Sequence, residues 1–282
     1  MGIGGVALPW LLLREGLRAK PVKPELAGQS HSLLPKRPPN EPRAKAMISL
    51  FMQGGPSQIG LCDPKPMLDE WAGRDIPVKL KYDDAAGASA QVLPSSWKFN
   101  RHGQSGMDFS ELLPGFGEIA DELCLIRSMH TGVNNHGQSI HALNSGRTVS
   151  GRPSLGSWLT YGLGTENEDL PGFMVLISSG TQPSAGKNAW GSGFLPSVFQ
   201  GVQCRSKGDP VLYVKDPKGM SRALRRQGLD ALRKLNEMQA KELGSPETLT
   251  RIAQYELAFR MQASVPEVMD ISKESKKTIE AY

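Results

Sequence analysis

Short apolar runs alternate with polar loops over the first two hundred residues. Met47-Ile-Ser-Leu-Phe-Met52 is nearly continuous in apolar character and stops at Gly54-Gly55-Pro56. A run of that length, closed by turn residues, predicts a buried parallel strand. Residues 110–122 carry a helical pattern broken by Pro114 and Gly117, and feed Leu123-Cys-Leu-Ile-Arg127, a second predicted strand. A polar loop follows, then a helix expected over His136–Asn144 with Gly146 as its C-terminal cap. Phe173–Ser178 reads as a third buried strand, and Val211–Val214 as a weaker fourth.

The C-terminal part has a different rhythm. Leu224, Leu232, Leu235, Met238 and Leu243 recur at helical spacing among charged residues. Ser245-Pro246 then resembles a capped helix start, with Leu249, Ile252, Tyr255 and Phe259 following and a stop near Pro266. These segments predict a helical hairpin. Strand, loop, helix in repeated order implies an α/β fold with a doubly wound, mostly parallel sheet. Such sheets place their sites at the carboxyl ends of the strands. Three polar loops qualify: Gln53–Gln58, Ser128–Ser139 and Ser178–Ser184.

The N-terminal end divides from this body. Gly2–Leu13 is apolar but too short to span a membrane as a helix. Its length and small residues fit the hydrophobic part of an export signal, without a basic stretch before it. Residues 1–20 are therefore expected to be the remnant of such a signal, of the twin-arginine type. A short apolar helix on a cytoplasmic protein is the plainer reading. Residues 21–45 hold six prolines among polar residues and read as a linker. The globular part is expected to occupy residues 46–220, with 221–282 as a helical segment of the same domain.

Candidate chemistry concentrates around the second loop. His130, His136 and His141 are three of the chain's five histidines. His136 and His141 are five residues apart and do not share a helix face as an i, i+4 zinc pair would. His136 falls at a helix N-terminus, where N–H groups and the helix dipole favour an anion. His130, Asn134, Asn135 and His136 are candidates to hold a metal or an oxyanion. Capping of the loop by Asn and His is the plainer account. In the first loop, Gln53 and Ser57 are candidate substrate contact and nucleophile, and Asp63 a candidate carboxylate ligand, although Asp-Pro is also a common turn opener.

Composition narrows the function only slightly. The 282 residues are 39% hydrophobic and 22% charged, enough for one large domain or two small ones, and the formal charge is +5. No basic stripe interleaves with aromatics, which argues against nucleic-acid binding. Cys62, Cys124 and Cys204 are widely spaced and form no CxxC pair, so no zinc ribbon is expected. No glycine-rich stretch is followed by Lys-Ser or Lys-Thr, so no nucleotide P-loop is present.

Gly54-Gly-Pro-Ser-Gln58, Asp63-Pro-Lys-Pro66 and Asn134-Asn-His136, behind an export-like leader, resemble the exported bacterial domain-of-unknown-function family 1501 from about Ala46 to Tyr282. That family is labelled sulfatase-like and related to alkaline phosphatases. The resemblance implies an alkaline-phosphatase-like fold, extracytoplasmic placement, a divalent metal ion and hydrolysis of sulfate or phosphate esters, small or polysaccharide. His130, His136, His141 and Asp63 would be the metal ligands, His136 and Ser57 the catalytic groups, and Asn134, Asn135 and Gln53 the substrate contacts. Sulfatases end their first strand with two aspartates; here Met52-Gln53 stands there. The run His136-Gly-Gln-Ser139-Ile140 puts His136 where sulfatases carry the nucleophilic cysteine and Ile140 where they carry arginine, so no formylglycine can form. The competing reading is a non-catalytic exported binding or scaffold protein on the same fold. A third is a cytoplasmic α/β enzyme. The chain looks truncated at both ends, which would leave a sheet edge uncovered. The genomic sequence upstream of Met1 is expected to encode an in-frame Arg-Arg segment, and a stop codon directly before Met1 would rule it out.

Overall fold

The computed structural model describes residues 32–77, 91–177, 182–205, 209, 211, 215–244 and 246–281. In chain order the elements are α1 (Gln58–Leu61), α2 (Met67–Glu70), β1 (Phe99–His102), β2 (Met107–Ser110), α3 (Pro114–Glu118), α4 (His136–Ser145), α5 (Leu155–Leu163), β3 (Met174–Leu176), β4 (Val202–Cys204), α6 (Arg222–Leu243), α7 (Pro246–Val268) and α8 (Lys276–Ala281). The mixed α/β class and the C-terminal helical pair match the expectation. The described strands make two small sheets: an antiparallel pair β1–β2 and a parallel pair β3–β4. The chain falls into two compact units. One comprises the described residues up to Lys36, Leu159–Leu176 and Leu195 onward; the other runs through Arg37–Trp158 and Ile177–Phe194.

In the first unit, Met174, Val175 and Leu176 pair with Val202, Gln203 and Cys204. The core lies on α7, where Leu257, Met261 and Val265 are buried and Leu33, Leu170, Val202, Val211 and Met269 pack against them. Their i, i+4, i+8 spacing puts all three on one face of the helix. Ser221 caps α6 by accepting from Leu224 N at 3.2 Å, and Gly244, at φ +66°, closes it. Arg226 then ties α6 to α7. Its Nη1 and Nη2 donate to the two oxygens of Glu256 at 2.8 and 2.7 Å, and Nη2 also reaches Asp230 at 2.7 Å. Arg225 and Gln262 both donate to Asp216 Oδ1, at 2.8 and 2.9 Å. Phe259 lies under the guanidiniums of Arg222 and Arg226, at 4.7 and 5.1 Å.

The second unit is built around a hairpin that the apolar pattern did not predict. β1 and β2 pair from Phe99–Ser110 to His102–Met107 across the turn Gly103–Gly106. Asp121 clasps the turn by accepting from Gln104 N at 2.9 Å and Ser105 N at 2.8 Å. These two backbone donors hold the Asp121 carboxyl below the usual carboxylate range. A Cβ on Gly103, whose φ is +63°, would meet that carboxylate at 2.4 Å, so the turn needs glycine there. Phe109 is buried between His102 and Phe116.

Two strand expectations are corrected. Met47–Met52 joins no ladder among the described residues, and its side chains face solvent; Ile48 is 84% and Leu50 85% exposed. Leu123–Arg127 is likewise unladdered, with Leu125 and Ile126 exposed. An apolar run becomes a buried strand only where partner strands accept its N–H and C=O groups. No extended doubly wound sheet is seen among the described residues; β3–β4 is the parallel pairing present. The third strand is shorter than expected, and Leu212–Val214 lie outside the described residues, as do residues 1–20. Over residues 110–122 the helix is short: α3 starts at Pro114, contains Gly117 and ends at Glu118, and a single turn follows at Ala120–Glu122. The predicted stripe on α6 is also exposed at Leu224, Leu232, Leu235 and Met238. α7 ends at Val268, two residues past Pro266, as expected for a stop near that proline.

The ion network on α6 and α7 makes stability depend on pH. The Arg226 guanidinium beside Glu256 and Asp230 holds both carboxyls below their usual range. Asp216 is lowered too, chiefly by the Gln262 hydrogen bond. Groups with depressed folded-state values stabilise fully above the unfolded value, near 4 for ordinary carboxylates, and lose that contribution as pH falls through the folded value. Melting temperature is expected to drop as pH is lowered below about 4, with Glu256→Gln flattening the drop. Val265→Ala, which empties a fully buried position, is expected to cost about 2 kcal/mol with no such pH dependence.

Candidate functional site

The second unit gathers parts of all three polar loops. In the first, Gly55 N donates to Met52 O at 3.3 Å and makes a tight turn. Gly54 and Gly55 have φ of +82° and +61°, a region side chains other than glycine rarely enter. The turn presents the Gly54 backbone to the imidazole of His136: a Cβ there would lie 3.4 Å from His136 Cε1 and 3.8 Å from Nδ1. Gln53 reaches the third loop. Its Nε2 donates to Ser184 Oγ and its Oε1 accepts from Ser184 N, both at 3.2 Å. Ser178–Thr181 lie outside the described residues.

The second loop is shaped by its own hydroxyls. Thr131 Oγ1 and Ser139 Oγ both donate to Val133 O at 2.9 Å, and the two hydroxyls lie 3.1 Å apart. Asn135 caps α4 through Oδ1, accepting from Gln138 N at 3.2 Å, while its carbonyl accepts from Ser139 N at 2.9 Å. The helix expected over His136–Asn144 is present, ends at Ser145, and is closed by Gly146 at φ +74°. Buried Ile140 anchors it, and it packs against the turn Gly186–Trp190. As first and second residues of α4, His136 and Gly137 have no carbonyl within the helix to receive their N–H groups. Two backbone donors, the positive end of the helix dipole and an exposed imidazole therefore stand together.

A second cluster supports the loops. Asp63 is only 7% exposed, and its carboxylate meets Lys65 Nζ at 2.7 Å and Arg127 Nη1 at 3.3 Å. Beside it, burial raises the Cys62 thiol above its ordinary value; the Asp63 charge adds to this and Arg127 opposes it.

The candidate residues thus separate. His136 and Gln53 lie on the loop cluster, and Asn135 caps its helix. Asn134 is an exposed neighbour. Ser57 is exposed at the start of α1 and makes no side-chain cap there. His130 is exposed, and His141 is half-buried inside α4, where its carbonyl accepts from Ser145 Oγ at 2.8 Å. Among the described residues no three His, Cys, Asp or Glu side chains gather as a metal group. Asp63 is engaged by Lys65 and Arg127, and His136 and His141 are five residues apart on α4, a spacing that does not share a helix face. Ser184 and Arg127 were not singled out from sequence. Their partners lie 131 and 64 residues away, beyond the reach of any local motif.

The family model for the protein of unknown function DUF1501 matches residues 44–282. The chain belongs to the DUF1501 family. No curated protein and no solved structure matches it. The match covers parts of both units and every element given above, so the loop cluster and the Asp63 cluster are parts of a DUF1501 domain. The family assignment itself carries no activity.

The Gly54 approach to His136 can be tested by comparing two glycines. Ala at either Gly54 or Gly55 is strained by about 1 kcal/mol or more at these positive φ values. Only Gly54→Ala adds an atom against the imidazole; nothing lies within 4 Å at Gly55. The His136 ring resonances in NMR spectra are expected to move in Gly54→Ala and to stay in place in Gly55→Ala.

Proposed function

We propose that this DUF1501 protein binds the sulfate or phosphate group of an ester at the cluster of Gln53, Gly54 and His136, and hydrolyses that ester. One observation supports the reading above the others: the glycine turn lies against His136 where α4 begins, so backbone donors and an imidazole share one small polar face. Tetrahedral oxyanions are held by helix N-terminal N–H groups and by cationic or hydrogen-bonding side chains. Water would attack the sulfur or phosphorus, the bond to the ester oxygen would break, His136 would donate a proton to the leaving alcohol, and the proton that the water loses would restore the imidazolium through solvent. Ser57 would be a secondary contact or nucleophile, and Asn134 and Asn135 would frame the substrate. The finer fold reading, an alkaline-phosphatase-like doubly wound sheet, and placement outside the cytoplasm belong to the same proposal. The parallel pair β3–β4 is its structural support. No step is routed through a metal, because the described donors do not assemble a site for one.

A non-catalytic reading also has an observation behind it. Asn135, Thr131 and Ser139 spend their side-chain hydrogen bonds on the loop itself. That fits a binding or scaffold protein whose polar residues hold shape. Among the described residues no helix is long and apolar enough to cross a membrane.

Both readings meet one set of measurements on the full chain: turnover of 4-nitrophenyl phosphate and sulfate, calorimetric binding of the free oxyanions, and metal content. Turnover that His136→Ala lowers roughly 10²–10⁴-fold, the usual contribution of a proton-transfer group, supports the hydrolase. Saturable oxyanion binding without turnover supports the scaffold. Neither turnover nor binding overturns both, and stoichiometric metal lost on His136→Ala would restore the metal-dependent form.

A further inference from the structure

The first unit holds a cavity that neither reading uses. It has a volume of about 250 Å³ and is lined by Leu33, Leu34, Val198 and Ala253 on its apolar side. Thr165, Asn167, Glu168, Glu256 and Arg260 contribute its polar side. Glu256 and Arg260 are four apart on α7, with the acid on the N-terminal side, the favourable order for an ion pair along a helix. That pair does not form. Both Glu256 oxygens are taken by Arg226 on α6, at 2.8 and 2.7 Å. Arg260 is left without an ion pair among the described residues, and its enclosed Nε has no hydrogen-bond partner. A half-buried guanidinium in a cavity wall, deprived of its natural counter-ion, is an electrostatic vacancy for an anion.

We propose that this cavity binds a small organic monocarboxylate, its carboxylate on Arg260 and its apolar body against Leu33, Leu34, Val198 and Ala253. The apolar wall favours an organic acid over inorganic phosphate or sulfate. The single cation without an ion pair, with the Glu168 carboxylate in the same lining, favours one negative charge over two. The guanidinium fork matches a carboxylate with paired donors. This site is independent of the ester site at His136, and its ligand need not be the substrate there.

The probe is sodium hexanoate, titrated into the full chain and followed by calorimetry and ligand-observed NMR, with hexylamine and succinate as comparators. Saturable binding of hexanoate is expected, with hexylamine and succinate at least about tenfold weaker. Loss of one charge-assisted hydrogen bond corresponds to at least about tenfold, so Arg260→Gln should weaken hexanoate binding by that factor or more, and Arg260→Lys by less. Leu34→Trp, at the exposed mouth of the cavity, should abolish binding without touching Arg260, which keeps the test open if Arg260→Gln does not fold. His136→Ala should bind hexanoate as the unmodified chain does, whatever becomes of ester hydrolysis. Absence of saturable hexanoate binding, equal binding by Arg260→Gln and Leu34→Trp, or equal affinity for hexylamine would each overturn the proposal.

Discussion

The carboxylate of Asp63 fixes two stretches of chain that are distant in sequence. A buried carboxylate is tolerated only when cations and donors surround it; removing one partner leaves a charge whose isolation costs several kcal/mol. Lys65 and Arg127 supply those partners. Lys65 belongs to the Asp-Pro-Lys-Pro turn that follows the glycine loop. Arg127 stands directly before the loop that carries His130 and His136. Satisfying Asp63 therefore brings the exit of one loop to the entrance of the other. Sequence separation between them is 64 residues, so no propensity or turn preference could do this alone.

The C-terminal helices follow the same logic with more exposed groups. Arg226 chooses between two helices' carboxylates and takes both, at Asp230 on its own helix and Glu256 on the next. Exposed ion pairs contribute little one at a time. Here the pairs share one guanidinium, and Phe259 lies beneath it, so the network sets the register of α6 against α7 as much as it adds stability. The apolar contribution comes from Leu257, Met261 and Val265. The network also has an electrostatic consequence, because drawing Glu256 toward α6 strips Arg260 of its neighbour.

What could be read from the sequence was what local chemistry decides. α4 was legible because Asn135 is a good N-cap, Gly146 a good C-terminal glycine, and Ile140 lies on the inner face between them. The helical pair was legible from the 3.6-residue rhythm and from the Ser245-Pro246 start of the second helix. The apolar spacing along α6 marks the helix, yet Leu224, Leu232, Leu235 and Met238 are exposed and α6 buries Asn236 and Ala240. Apolar spacing identifies a face but not the neighbour that covers it. The same limit applies to Met47–Met52 and Leu123–Arg127, whose apolar runs signal strands only when partners complete the ladder. The β1–β2 hairpin was missed for the opposite reason. Asn100, Arg101 and His102 look like loop residues, and the clasp that holds their turn, Asp121, acts from outside the motif.

The candidate site was partly legible for the same reason. Sequence pattern could nominate the three loops, since each follows an apolar run and carries Gly, Asn, Ser or His. It could not say that Gln53 would meet Ser184 or that Gly54 would lie against His136. These contacts depend on tertiary geometry, and each hydrogen bond among them contributes only about 1 kcal/mol net. Their value lies in constraint. With Met47–Met52 and Leu123–Arg127 outside any ladder among the described residues, the first two loops do not take their positions from a rigid strand end, as sites on α/β sheets usually do. They take them from side-chain hooks: Gln53 on Ser184, Thr131 and Ser139 on Val133, Asn135 on Gln138, and Asp63 on Arg127.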